Sequence, residues 1–215
     1  LPLLDLTPLR EHPKWIVGFS DVTMLHMALG RLGVESLHAT MPGKFRFGAD
    51  EKPEAIVSDE SLRSALFGRW TRIDTAAHPL NVSGTARGRL AGGNLSLLCS
   101  AIGTPEQPDF DTPTVLFIEE IGEQMYRLDR MMQQLERSGI LAKCKAVLVG
   151  HFTDMLGQKH FGVWDPCDII AAYVRPLGIP VVFGIPAGHE DPNVALYMGR
   201  EVAVTVNDAG ASVEF

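Results

Sequence analysis

Cysteines, long apolar runs and signal-type segments are scarce or absent in this sequence. Its 215 residues include only three cysteines, Cys99, Cys144 and Cys167, and an odd number at wide spacing is not a disulfide framework. We therefore expect the chain to work in a reducing compartment, the cytoplasm. No apolar stretch is long enough to cross a bilayer, and no basic segment leads into an apolar one as in a signal peptide. No membrane partner is predicted.

Basic residues are also in the minority. The chain has 26 acidic and 19 basic residues, a net charge of −7, and no basic block. Because nucleic-acid binding normally needs a clustered basic face, we predict no nucleic-acid partner. What remains is the composition of an ordinary globular protein, 46% hydrophobic and 21% charged, with enough residues for one large domain or two small ones.

Short apolar runs alternate with helix-like periodicity along most of the chain. Buried strands are predicted at residues 14–19, 84–90, 115–118, 146–149 and 181–184. Helices are predicted at residues 21–32, 59–67, 91–102, 124–137 and 169–174, and a terminal hairpin at residues 201–206 and 211–215. This alternation predicts an α/β protein with some parallel sheet.

The most informative stretch is residues 15–23, where an apolar run ends in Gly18-Phe19-Ser20 and passes directly into a helix. This is the outline of a nucleophile elbow, a sharp strand-to-helix turn that presents a serine hydroxyl at the carboxyl edge of a sheet. Val22 departs from the full Gly-x-Ser-x-Gly form of that motif. The alternative is a capping serine, whose hydroxyl accepts a hydrogen bond from a backbone N–H.

A serine nucleophile needs a base and an acid that orients the base. The chain offers both just after apolar runs, as Glu119 and His189. Each has a competing interpretation. Glu119 and Glu120 could form a solvated acidic pair, and His151 also follows a buried strand, so it competes with His189 for the role of base. His26, within the helix after Ser20, is assigned to packing or to the surface.

No metal or nucleotide motif is found. His151, Asp154 and His160 are close in the sequence but lack metal-ligand spacing. Gly92-Gly93-Asn94 matches neither a P-loop nor a dinucleotide fingerprint, and a tight strand-to-helix turn explains it at least as well as a ligand contact. We predict that the chain uses no metal and no organic cofactor.

Several phrases, in this order, resemble the LD-carboxypeptidases, a family of serine peptidases that includes the microcin C immunity peptidases. They are Gly18-Phe19-Ser20-Asp21-Val22-Thr23, Leu90-Ala91-Gly92-Gly93-Asn94-Leu95-Ser96, Phe117-Ile118-Glu119-Glu120-Ile121-Gly122-Glu123, Tyr126-Arg127-Leu128-Asp129-Arg130-Met131 and Gly184-Ile185-Pro186-Ala187-Gly188-His189. Together they cover nearly the whole chain.

The resemblance implies a role for each candidate residue. Ser20 would be the nucleophile, Glu119 the orienting acid and His189 the base. The family's acid is the first carboxylate after its strand, and its base is the histidine of the Gly-His phrase. Asn94 would help to hold the substrate, and the backbone N–H of Asp21 would face the oxyanion.

The resemblance also implies a division into two domains. Residues 1–70 would be the remnant of an N-terminal parallel-sheet domain that carries the serine, and residues 71–84 a linker. Residues 85–215 would form a C-terminal mixed α/β domain that carries the acid and the base. Family members have an Arg-Gly-Gly-Tyr-Gly-like turn upstream of the serine. We expect the chain to be a fragment of a longer enzyme, or to receive that portion from a separate piece.

The function implied is hydrolysis of the L,D-amide bond that releases terminal D-alanine from murein tetrapeptides, as part of peptidoglycan recycling in the cytoplasm. A microcin C immunity-type peptidase, acting on aminoacyl-nucleotide-like conjugates, is one alternative. A truncated form that binds peptide without turnover is another. Because family members often dimerise, a homodimer remains open.

Overall fold

The computed structural model of the protein describes residues 1, 3–45, 53–157 and 165–215. Its strands are β1 (Val17–Gly18), β2 (Ser36–His38), β3 (Arg72–Ala76), β4 (Gly84–Asn94), β5 (Thr114–Ile121), β6 (Cys144–Thr153), β7 (Val181–Phe183), β8 (Leu196–Met198), β9 (Glu201–Asn207) and β10 (Gly210–Glu214). Its α-helices are α1 (Pro8–Glu11), α2 (Thr23–Arg31), α3 (Pro53–Leu66), α4 (Leu95–Ser100), α5 (Met125–Arg137), α6 (Ile140–Lys143) and α7 (Pro166–Val174). Within the described ranges, none of the helices is long and apolar enough to span a bilayer.

The larger sheet has seven strands in the order β3-β10-β9-β4-β5-β6-β7. From β4 to β7 the neighbouring strands are parallel, whereas the pairs β3–β10, β10–β9 and β9–β4 are antiparallel. The α/β class with a partly parallel sheet is therefore confirmed. Because parallel strands end at a common edge, the residues that follow β4, β5, β6 and β7 are brought together there.

The core is built on β5 and β6, whose central residues are fully buried. Side chains alternate between the two faces of a strand. Leu116 and Ile118 pack with the helices on one face, while Val115 and Phe117 pack with the C-terminal strands on the other. Burial on both faces explains why these strands are continuous apolar runs in the sequence. The predicted stripe of α5 also packs into this core, through Met125, Leu128, Met132 and Leu135.

A smaller sheet joins the two ends of the chain. β1 and β2 are parallel, and β8 pairs antiparallel with β2. The segment that leads to β8 is also held by α3. The Asn193 N–H donates to Ser58 Oγ at 2.8 Å, and the Ala195 N–H donates to Ser61 Oγ at 3.0 Å. The elbow at the end of β1 is thereby fixed relative to the C-terminal strands.

Three short strands are not predicted by the apolar pattern. β2 and β8 have three residues each, and β3 buries only Ile73. Such strands are too short or too exposed to produce a recognisable alternation. β3 lies inside residues 71–84, so the predicted linker includes an edge strand of the larger sheet. The division into two domains stays a prediction.

Candidate active site

Ser20 has the backbone geometry of a nucleophile elbow. Its φ is +59°, and among the described residues only Ser20 and Asp154 have a positive φ without being glycine. Such a conformation costs about 1–3 kcal/mol and persists only where the surroundings enforce it. Ser20 begins the 3₁₀ turn at Ser20–Val22, which starts one residue after β1 ends and leads directly into α2. The predicted strand–turn–helix context of the serine is thus present.

The capping interpretation of Ser20 is wrong. Phe19 and Val22 occupy the cap positions of the 3₁₀ turn and of α2, and neither helical segment has a side-chain capping hydrogen bond. Within the described residues, the Ser20 hydroxyl takes part in no hydrogen bond. The hydroxyl of this partly exposed residue is therefore available for chemistry.

Glu119 and His189 form a buried pair at the carboxyl edge of the sheet. His189 Nδ1 lies 2.7 Å from Glu119 Oε2, and the glutamate side chain is fully buried. Because a carboxylate only accepts hydrogen bonds, Nδ1 carries the proton, and Nε2 is left able to accept one. A carboxylate that fixes this tautomer is the orienting acid of a serine-hydrolase triad.

The residue before His189 must be a glycine for this pair to form. A Cβ at Gly188 would lie 2.9 Å from the Cβ of His151 and 3.2 Å from Glu119 Oε2. Gly188 also has a φ of +137°, which L side chains rarely adopt. The Gly-His order of the phrase is thus a steric requirement of the site.

Phe19 connects the elbow with the buried pair. Its ring centroid lies 4.9 Å from that of His189 in an edge-to-face arrangement. Ser20 is the next residue along the chain, so the turn that presents its hydroxyl packs on the imidazole. No hydrogen bond joins Ser20 to His189 in the part of the chain that the structure describes. In free enzymes such bonds are often long and tighten when substrate binds.

Glu120 has a structural role distinct from that of Glu119. Its carboxylate accepts hydrogen bonds from Asn94 Nδ2 at 2.8 Å, the Ser96 N–H at 2.8 Å and the Ile121 N–H at 2.9 Å. Both glutamates are buried. The interpretation of the two as a solvated acidic pair is therefore wrong, and Glu119 is the carboxylate in contact with the histidine.

Asn94 caps helix α4. Its Oδ1 accepts from Ser96 Oγ at 2.7 Å and from the Leu97 N–H at 3.3 Å, while its amide donates to Glu120. These bonds explain the Gly-Gly-Asn phrase as a tight strand-to-helix turn. The contact of Asn94 with substrate stays a prediction.

The glycines of the same phrase allow close backbone approach. A Cβ at Gly92 would lie 2.0 Å from the Phe117 carbonyl oxygen, and a Cβ at Gly93 would lie 2.5 Å from Thr23 Oγ1. That hydroxyl accepts from the Asn94 N–H at 3.0 Å. The end of β4 is therefore joined to the first turn of α2, just after the elbow.

His151 lies beside the pair but has different partners. Its Nδ1 accepts a long hydrogen bond of 3.4 Å from the Glu190 N–H. Burial lowers the pKa of His151. No carboxylate orients its ring among the described residues, and this favours His189 over His151 as the base.

His38, which belongs to no motif in the sequence, also lies beside the site. It is fully buried in β2, with ring centroids 5.0 Å from Phe117 and 6.2 Å from Phe19. Neither of its ring nitrogens has a hydrogen-bond partner among the described residues. Burial holds the pKa of His38 well below its usual value, so the ring is neutral. A single histidine in a three-residue strand gives no sequence signal for this placement.

We expect this buried histidine to make the protein less stable in acid. In the unfolded chain His38 titrates near its ordinary pKa, so below about pH 6.5 the unfolded state binds one more proton than the folded state. The stabilisation that the neutral His38 gives to the folded state is fully present above that pH. On acidification it is lost, and the free energy of unfolding falls by about 1.4 kcal/mol per pH unit. Urea unfolding of the parent and of His38→Leu, at pH 7.5 and 5.0, measures the difference. An equal pH dependence in both proteins would contradict it.

Among the described residues, no group of three or more His, Cys, Asp and Glu side chains is placed to hold a metal ion. The metal site weighed from the sequence would combine His151 and Asp154 with His160. His160 lies outside the described residues.

Two family models match the chain. The LD-carboxypeptidase C-terminal domain matches residues 87–204, and the LD-carboxypeptidase N-terminal domain matches residues 1–39. The chain belongs to the LD-carboxypeptidase family. The resemblance inferred from the motifs is thus confirmed, and the first match includes Glu119 and His189 while the second includes Ser20.

Individual relatives agree with this assignment. The probable murein peptide carboxypeptidase of Bacillus subtilis is 32% identical over 212 residues, which are 98% of this chain and 66% of that protein. The crystal structure of muramoyltetrapeptide carboxypeptidase from Oxalobacter formigenes has 30% identity and a TM-score of 0.88, covering 99% of this chain and 72% of that one. A structure of MccF in complex with glutamyl sulfamoyl guanosine, at 20% identity and a TM-score of 0.82, covers 100% and 71% and shares the fold.

The chain covers only part of the length of the LD-carboxypeptidase relatives that it matches. The chain spans 64% and 66% of the length of two curated proteins that it matches. The activity of a whole relative is therefore carried over to this chain only as a proposal.

Proposed function

We propose that the chain carries the catalytic centre of a serine carboxypeptidase that releases terminal D-alanine from murein tetrapeptides. The observation that carries this proposal is the buried Glu119–His189 hydrogen bond of 2.7 Å, next to a serine held at a φ of +59°. The family assignment supplies the reaction class, and the names of two relatives point to murein peptides. The proposed setting is the recycling of cell-wall peptides in the cytoplasm.

In the first half of the proposed reaction, His189 Nε2 takes the proton of Ser20 Oγ as the hydroxyl oxygen attacks the carbonyl of the L,D-amide. Glu119 holds the ring through Nδ1 and stabilises the imidazolium that forms. The tetrahedral oxyanion faces the N–H of Asp21. Asp21 lies in the first helical turn, where N–H groups have no acceptor within the helix.

In the second half, the imidazolium gives its proton to the departing amine, and the C–N bond breaks to release D-alanine. A water molecule then attacks the acyl-enzyme ester while His189 takes one of its protons. Collapse of that intermediate returns a proton to Ser20 Oγ and frees the shortened peptide. Every proton in this cycle passes through one imidazole, so the reaction as proposed uses this chain's own side chains and water.

The test is D-alanine release from lysine-type and diaminopimelate-type murein tetrapeptides by the parent chain and by Glu119→Gln. We expect release by the parent and a loss of about 10⁴-fold in kcat for the variant, since an amide leaves the base in the wrong tautomer. A tetrapeptide ending in L-alanine serves as the substrate control. Cleavage of an aminoacyl sulfamoyl nucleoside in place of the tetrapeptide would favour the immunity-type peptidase. Binding of tetrapeptide without release would favour a form without turnover.

A further inference from the structure

His26 is buried in α2 and has a defined partner at each ring nitrogen. Nε2 lies 2.9 Å from the carbonyl oxygen of Gly18, and Nδ1 lies 2.8 Å from Ser36 Oγ. The carbonyl can only accept, so Nε2 carries the proton and Nδ1 accepts from the serine hydroxyl. The geometry therefore sets one neutral tautomer.

The Gly18 carbonyl accepts two hydrogen bonds at the start of the elbow. Gly18 is the last residue of β1 and directly precedes Phe19 and Ser20. Its carbonyl oxygen also accepts a hydrogen bond from the Ala39 N–H at 3.2 Å. Ser36 lies in β2, the parallel neighbour of β1. Through its two hydrogen bonds, the His26 ring ties α2 to both strands immediately before the turn.

The turn needs such an anchor because its geometry is strained. Ser20 is held in the left-handed region, and there is no room for a side chain at Gly18, where a Cβ would lie 2.7 Å from Val22 Cγ2. A strained conformation relaxes unless hydrogen bonds and packing hold it. The Phe19 ring, which rests on His189, moves with the same backbone.

We infer that His26 is a positioning residue for the nucleophile, which holds the Gly18 carbonyl so that the Ser20 hydroxyl stays directed at His189. This inference rests on the proposed function. His26 is not itself a base, since both ring nitrogens are engaged and the residue is only 3% exposed. Burial lowers the pKa of His26 to about 4, so the ring is neutral near pH 7.

Two substitutions separate the bonds that His26 makes. The amide nitrogen of Gln lies as many bonds from Cβ as Nε2 of His does, so His26→Gln keeps a donor for Gly18. The shorter Asn side chain reaches only as far as Nδ1, so His26→Asn keeps a group for Ser36 and loses the Gly18 bond. Leu29→Ala is the matched control, because Leu29 is fully buried near the other end of the same helix.

The readouts are kcat and KM for D-alanine release and the rate at which a fluorophosphonate labels Ser20, with fluoride as the leaving group. We expect His26→Asn to lower kcat and the labelling rate by about 10²-fold, the effect of a misplacement of about 1 Å, with KM within about threefold. His26→Gln should recover most of both rates. Leu29→Ala should lower the melting temperature but leave the labelling rate of the folded protein unchanged.

Several results would overturn the inference. One is that His26→Asn and the parent are labelled at equal rates. Another is that kcat and the labelling rate fall equally in His26→Gln and His26→Asn. The third is a similar fall of the labelling rate in Leu29→Ala. Where His26→Asn does not fold, ¹⁵N NMR of the parent's His26 ring decides, since a proton on Nδ1 would refute the Gly18 bond. A parent that is labelled but releases no D-alanine would refute the proposed substrate and leave the His26 comparison valid. A parent that is not labelled would refute the nucleophile and this inference with it.

Discussion

Ser20→Ala is expected to lower kcat for D-alanine release by about 10⁴ to 10⁶-fold without changing the fold. Loss of the nucleophile in a serine-hydrolase triad removes nearly all of its catalysis, and what remains comes from substrate binding and oxyanion donors. Ala fits the same space as Ser, and the Ser20 hydroxyl makes no hydrogen bond among the described residues that the variant would leave unpaired. The melting temperature should therefore be nearly unchanged.

The measurement is D-alanine release under saturating tetrapeptide, with the melting temperature recorded for each protein. Ser100→Ala is the matched control, since Ser100 is exposed at the end of α4 and its hydroxyl, among the described residues, donates only to the carbonyl of Leu97. We expect it to retain full activity. Release that persists in Ser20→Ala would show that Ser20 is not the nucleophile, and the mechanism would have to be abandoned.

The strands that stand out most clearly in the sequence are those whose burial is nearly complete. β5 and β6 are apolar on both faces, so their runs stand out from the loops around them. The stripe of α5 is equally clear, because three to four residues in two turns face the core. The edge strand β3 and the short strands β2 and β8 depend on partners distant in the sequence, and a local pattern cannot reveal those.

The residues of the candidate site also divide into those that the sequence predicts and those that only the folded chain shows. Glu119 can be located because it lies near the carboxyl end of a buried parallel strand, and the edge where such strands end is a common place for sites. The choice between Glu119 and Glu120 is different. The resemblance favours Glu119, but only the folded chain shows that Glu119 contacts His189 while Glu120 accepts from Asn94 and the Ser96 N–H. The sequence assigns His26 only to packing or to the surface and gives no signal for His38, because the surroundings of both are created by the pairing of β1 with β2.

The Asn94 phrase has one role that this structure shows and another that the resemblance predicts. The resemblance to the family assigns Asn94 to the substrate, while its side chain in this structure closes the first turn of α4 and donates to Glu120. A residue held so firmly could present its backbone or one edge of its amide to a ligand only in a fixed direction. The place of Asn94 at the end of β4 and its capping bonds are therefore compatible with the predicted contact with substrate. The sequence motif alone does not reveal the capping bonds.

His189→Ala is expected to match the loss caused by Ser20→Ala, about 10⁴ to 10⁶-fold in kcat, whereas His151→Ala should lose less than about tenfold. The two histidines differ in their hydrogen bonds. Nδ1 of His189 donates to a buried carboxylate, which leaves Nε2 as an acceptor, while Nδ1 of His151 accepts from the Glu190 N–H, which places the proton on Nε2. In its neutral form His151 therefore has no free nitrogen to take a proton from a serine.

The two substitutions are measured on the same tetrapeptide, together with the double variant Ser20→Ala/His189→Ala. Residues that act as one unit are not additive, so the double variant should be no slower than either single one. A further large loss in the double variant would mean that Ser20 and His189 act independently. Retained activity in His189→Ala, combined with a large loss in His151→Ala, would transfer the role of base to His151. The Glu119–His189 bond would then be a structural contact beneath the elbow.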